Sequence, residues 1–209
     1  MTPKRISIVL ALAGLGLAAP LPAGATDRFE PLPAGGRGKP SDLLIRIIRF
    51  AGSTNGAITV DVKNPTGEPA EFSAQGLYFV PQGNPNEAPQ RLGAVGPFQV
   101  RGADGTRRRQ EAITIAPGAT ERLTLDVYCI DSHRASPSPA TAFRVAKHRM
   151  PARLMRAIDM DAQRSAAELG GLAAPAAKPA IQSQVWKNRD ANWLELDGEG
   201  KQEAAKHRR

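Results

Sequence analysis

The residues best suited to chemistry gather around one cysteine. Cys129 is the single cysteine of the 209-residue chain and lies in an apolar run from Leu123 to Ile130. Without a second cysteine no intramolecular disulfide can form, so the thiol has to be buried, ligated or capped. Free cysteine is among the most buried residue types, and packing within a strand is its plainest role. A second role follows from spacing. Cys129, Asp131 and His133 alternate, so a continuing strand turns a thiolate, a carboxylate and an imidazole to one face. With His148 as a fourth ligand, such a set suits zinc or copper. Against this, Ser132 and the run Ser136-Pro137-Ser138-Pro139 argue that the strand ends near Ile130, leaving Asp131 to form a turn with its own backbone.

Familiar enzyme chemistry finds little support. The three histidines, His133, His148 and His207, sit in no nucleophile motif, and the chain has no glycine-rich phosphate loop, no CxxC pair and no GxSxG elbow. The chain is read as a non-enzyme with no implied cofactor.

A strand carrying Cys129 needs a sheet around it, and the sequence supplies one. Leu43 to Phe50 and Ala57 to Val62 are β-branched runs flanking Gly52-Ser53-Thr54-Asn55-Gly56, which predicts a hairpin. Asn64-Pro65-Thr66-Gly67-Glu68-Pro69 predicts a turn and Gly76 to Val80 a third strand, whereas Pro81 to Pro97 reads as a long surface loop. Ala112 to Ile115 and Glu121 to Ile130 predict two more strands, the second alternating Leu123, Leu125 and Val127 against Arg122, Thr124 and Asp126. The expected fold is mostly β, an antiparallel β-sandwich or barrel-like domain with a small C-terminal helical part; an open sheet with helices on one face is the alternative. The helical part begins at Pro151, with Leu154, Met155, Ile158 and Ala162 at helical spacing until Gly170-Gly171. After an Ala/Pro linker, Ala173 to Pro179, a short amphipathic segment spans Ala180 to Asn188. Leu154, Ile158, Trp186 and Trp193 are expected to dock these helices, with Trp193 packing the tail onto the sheet.

Two distant segments, Val127-Tyr128-Cys129-Ile130-Asp131 and Ala180-Ile181-Gln182-Ser183-Gln184-Val185-Trp186, together resemble the thioester-domain family of bacterial surface proteins. Members carry an aromatic-Cys-aliphatic motif on a strand and a later Gln-x-x-aliphatic-Trp motif on a helix. The resemblance implies that the Cys129 sulfur and the Gln182 carboxamide condense to an internal thioester with loss of ammonia. Tyr128, Val185 and Trp186 would be packing residues, and Gln184 part of the framework. It covers about a dozen residues, and Gln184 stands where the family usually has a small residue. The longer order Cys-Ile-Asp-Ser-His-Arg, Ser/Pro turn, Pro-initiated helix, Gln-x-x-Val-Trp and Trp193-Leu194-Glu195-Leu196 also looks like uncharacterised exported bacterial domains. A thioester stores an electrophile for one covalent attachment; the competing expectation is a non-covalent binding or structural module.

Export fits a thiol in need of a cap. Residues 1–25 have the three parts of a cleavable signal peptide: Lys4 and Arg5, an apolar stretch from Ile6 to Ala19, and Ala23-Gly24-Ala25 as an A-x-A site. The apolar stretch is shorter than the roughly twenty residues that span a bilayer, so no transmembrane anchor is expected after cleavage. The predicted organisation is a signal peptide over 1–25, a Pro/Gly-rich leader over 26–41, one domain over 42–196 and a charged tail over 197–209. Periplasm and exterior are equally compatible destinations. Lys4 and Arg5 leave with the signal, so the mature net charge is about +6. It is scattered, and its clusters, Arg107-Arg108-Arg109 and Lys206-His207-Arg208-Arg209, read as a solvated loop and a tail. No specific nucleic-acid partner is implied; the expected partner is an extracellular or envelope molecule of unknown kind.

Overall fold

The computed structural model describes residues 28–34, 41–102, 104–172 and 174–200. The expected signal peptide lies outside the described residues, as do residues 26–27 and 35–40 of the leader and Lys201 to Arg209. Among the described residues the chain runs through β1 (Glu30–Pro31), β2 (Leu44–Gly52), β3 (Asn55–Lys63), β4 (Ala70–Ser73), β5 (Tyr78–Pro81), β6 (Leu92–Ala94), β7 (Phe98–Arg101), β8 (Arg107–Gln110), β9 (Ala112–Ile115), β10 (Thr120–Cys129) and β11 (Phe143–Val145). Two helices follow, α1 (Ala152–Glu168) and α2 (Ala177–Ala191).

The β-rich expectation holds. Nine strands form one antiparallel sheet in the order β1-β2-β3-β10-β6-β5-β11, with the β7–β8 hairpin joined to β10, while β4 and β9 pair separately. The large sheet curls into a nearly closed barrel. β11 comes beside β2, and Phe143 meets Phe50 edge-to-face across that seam, ring centroids 5.5 Å apart.

Strand β10 is the axis of this arrangement. One edge pairs with β3 from Thr120↔Lys63 to Tyr128↔Asn55; the other takes β7 at Leu123 and Thr124, then β6 from Val127 to Cys129. Period-two alternation divides its side chains between two cores. Leu123, Leu125, Val127 and Cys129 point into the barrel with Ile58, Val60 and Val62. Tyr128 and Ile130 point outward, where Leu154, Ile158, Ala162, Ile181 and Val185 of the helices cover them. Each such side chain stabilises the fold by roughly 1.5–3 kcal/mol through removal from water. On the outer face, register sets Asp61 opposite both Arg46 and Arg122, and both guanidinia reach it at 2.7 Å.

In α1 the buried residues Leu154, Ile158, Ala162 and Ala166 recur every fourth position and form a stripe facing the sheet. Pro151 is the N-cap and not a first-turn residue. At the other end Gly171, at φ +102°, returns its N–H to Ala166 O. Helix α2 starts inside the predicted Ala/Pro linker, because Pro179 falls in the first turn, where no intrahelical N–H is required. No helix among the described residues is long and apolar enough to cross a membrane.

Several boundaries differ from expectation. The predicted leader contributes β1 and buried Leu32 to the barrel, since pairing with β2 satisfies its backbone. The predicted 81–97 loop contains β6 and buried Gln90 and Arg91. Arg107-Arg108-Arg109 lies in β8, where Arg109 donates to Asp126 at 2.7 Å. The predicted tail is docked as far as Gly200: the Arg91 guanidinium takes the carbonyls of Leu196 and Asp197 and the Glu199 carboxylate.

Candidate functional site

Helix α2 lies along the end of β10 in parallel register. Lys178 pairs with Asp126, Gln182 bonds Cys129, Arg189 faces Asp131, and Asp190 accepts from Ser132. From Lys178 to Asp190 the helix advances about 18 Å, and the chain from Asp126 to Ser132, strand as far as Cys129, runs alongside it. The two elements therefore keep step. Ile181 and Val185, fully buried, hold the helix in place, and Trp186 packs against the barrel core while its indole N–H donates to Gln90 Oε1 at 3.0 Å.

Gln182 consequently projects onto Cys129. Its Nε2 donates to Cys129 O at 2.7 Å, and its Oε1 accepts from the Cys129 N–H at 3.0 Å. Pairing to β3 has ended at Tyr128↔Asn55, so the side-chain amide continues the sheet edge where the strand stops. The Cys129 N–H is shared with Thr54 O, also at 3.0 Å. The sulfur turns toward the barrel interior and donates to Ser53 O at 3.6 Å. Ser53 and Thr54 belong to the connection between β2 and β3, so that hairpin forms the roof of the site. Cys129 is 0% and Gln182 3% exposed.

Burial, with the charge of Asp131 adding to it, pushes the Cys129 thiol up to about 12 and keeps it neutral. Tyr128 is likewise raised to about 12, by burial and by Asp126. A carboxamide docked on the main chain of a buried cysteine, with a backbone N–H on the amide oxygen, has a donor in place for the oxyanion of an acyl transfer. It can equally serve as static packing.

The predicted metal set does not assemble. Asp131 turns away to a fully buried Arg91, receiving Nε at 2.7 Å and Nη2 at 2.5 Å. His133 and His148 are exposed, and among the described residues no group of three or more metal-ligating side chains forms. The strand stops at Cys129, so the alternation that grouped these residues ends there. Trp193 lies beside α2, its ring 5.5 Å from the Arg189 guanidinium.

Ser53, Thr54, Gln90, Arg91 and Glu199 are the residues around the site that sequence reasoning missed. The hairpin residues lay in a recognised turn, but nothing in a turn motif says which strand it will cover. Arg91 and Glu199 have no local pattern at all; their pairing spans over a hundred residues.

No protein-family model matches the chain, and neither does any curated protein or solved structure.

Proposed function

We propose that this chain is an exported envelope or secreted interaction protein in which Cys129 and Gln182 condense to an internal thioester for covalent attachment to a nucleophile. The observation that carries the reading is the docking of the Gln182 carboxamide on both main-chain polar groups of Cys129, the one residue that bears a thiol. In the condensation Sγ attacks Cδ of Gln182, the Cδ–Nε2 bond breaks, and ammonia leaves with the thiol proton. The Cys129 N–H already sits on Oε1, the atom that becomes negative in the tetrahedral intermediate. Burial then shields the product from water. Attack by an amine or hydroxyl transfers the acyl group and returns the thiol, once per molecule.

A non-covalent module is the second reading, favoured by the sulfur's own hydrogen bond to Ser53 O and by the two bonds that pair the Gln182 amide to backbone. In that case the amide is a clamp for α2. Intact-mass measurement of the mature protein separates the two. The thioester requires a mass one ammonia below the sequence mass, replaced by a methylamine adduct after amine treatment. An unmodified mass, with a thiol that alkylates only on unfolding, leaves the clamp.

A further inference from the structure

With both partners buried, no nucleophile reaches the acyl carbon until something moves. β6 is hydrogen-bonded to β10, and α2 is anchored by fully buried Ile181 and Val185. The hairpin connection differs. None of Gly52, Ser53, Thr54, Asn55 and Gly56 is buried, so lifting it exposes little core. Its base is a cross-strand pair of glycines, Gly52↔Gly56, with Gly52 at φ +144°, a value few other residues tolerate. Beside the strand pairing of Asn55 with Tyr128 at its foot, three polar ties hold the cap down: Thr54 O on the Cys129 N–H, Ser53 O on the Cys129 thiol at 3.6 Å, and Thr54 Oγ1 against Ser136 Oγ at 3.2 Å.

We propose that the Ser53-Thr54-Asn55 cap is the gate to the acyl group and that thioester formation itself loosens it for an incoming primary amine; this inference rests on the thioester reading. Acylation removes the thiol hydrogen, so Ser53 O loses its donor and one of the three ties disappears. The amine nitrogen then attacks Cδ, the Cδ–Sγ bond breaks, and the amine's proton passes to sulfur. The regenerated thiol again donates to Ser53 O, and the cap closes over the new amide. The cap is thereby held by fewer ties over the reactive form than over the spent one, closed in both but easier to lift in the first.

The test uses the full mature chain and methylamine, read by intact mass over time. In the double variant Thr54→Cys/Ser136→Cys, oxidation bridges the cap to its contact, two positions whose side-chain oxygens are already 3.2 Å apart. The oxidised variant should form the adduct at least about tenfold more slowly than the wild type under the same conditions. Ser136→Ala, which removes one tie and keeps the glycines, should form it about threefold faster. If the ammonia deficit is present but neither rate changes, the gate is wrong and the thioester stands. If the wild type shows no deficit, the thioester reading fails and the gate falls with it.

Discussion

The side-chain amide of Gln182 satisfies the main chain of Cys129 in both directions, donating to its carbonyl at 2.7 Å and accepting from its N–H at 3.0 Å. A single buried glutamine thus continues a β-ladder with no further strand, and ties the last helix to the last residue of the central strand.

Gln182→Ala should cost about 1–3 kcal/mol in denaturant-induced unfolding, because the Cys129 carbonyl is left buried without its donor. The same variant should carry its full sequence mass and a free thiol. A Gln182→Ala protein that still lacks one ammonia would sink the assignment of the acyl donor.

A pH dependence follows from the thiol. Its value in the fold, about 12, stands above the ordinary 9, so the neutral form is favoured and its contribution to stability is complete below about pH 9. That contribution is lost as pH rises toward 12. Gln182→Ala, which has a free thiol under either functional reading, should therefore lose more stability between pH 9 and 11 than Gln182→Ala/Cys129→Ala. Parallel melting curves for the two variants across that range would show that the thiol is not desolvated.

The Arg91 guanidinium, fully buried, binds Asp131, Glu199 and two carbonyls at once. Removing one member strands a buried charge, so Asp131→Asn should destabilise by about 3–5 kcal/mol. Glu199→Gln should act more locally, releasing the Leu196–Gly200 strap. Limited proteolysis should then cut near Leu194 and Glu195 faster than in the wild type while the barrel stays intact; equal cutting rates would contradict the strap.

Asp61 offers an acid-side test. Burial alone raises its carboxyl, but the bonds from Arg122 and Arg46 outweigh burial and hold it below its ordinary 3.8. A depressed value means that stability is present above pH 3.8 and lost as pH falls through the lower, folded-state value. Asp61→Asn should flatten the decline of the unfolding midpoint below pH 4. An unchanged acid limb would mean the triad adds nothing at that end.

The hairpin of β2 and β3, the alternation of β10 and the stripe of α1 were legible in the chain, because each is a local pattern with its own period and turn residues. The cysteine and glutamine were legible as a pair only through the resemblance of two short motifs. Other parts were hidden for a physical reason. β6 is three residues long and β1 two, too short for any periodicity, and they exist because β10 and β2 offer open edges to pair with. Asp131 matched a metal-binding spacing, yet a buried guanidinium forty residues away had a stronger claim on it. By itself the sequence determined a β-rich chain with one thiol and a Pro-initiated helix. Only the tertiary structure decided that Gln182 meets Cys129, that the predicted turn over Ser53 and Thr54 covers them, and that the metal ligands stay apart. Contacts of that kind depend on which elements stack and in what register, and local periodicity carries no information about either.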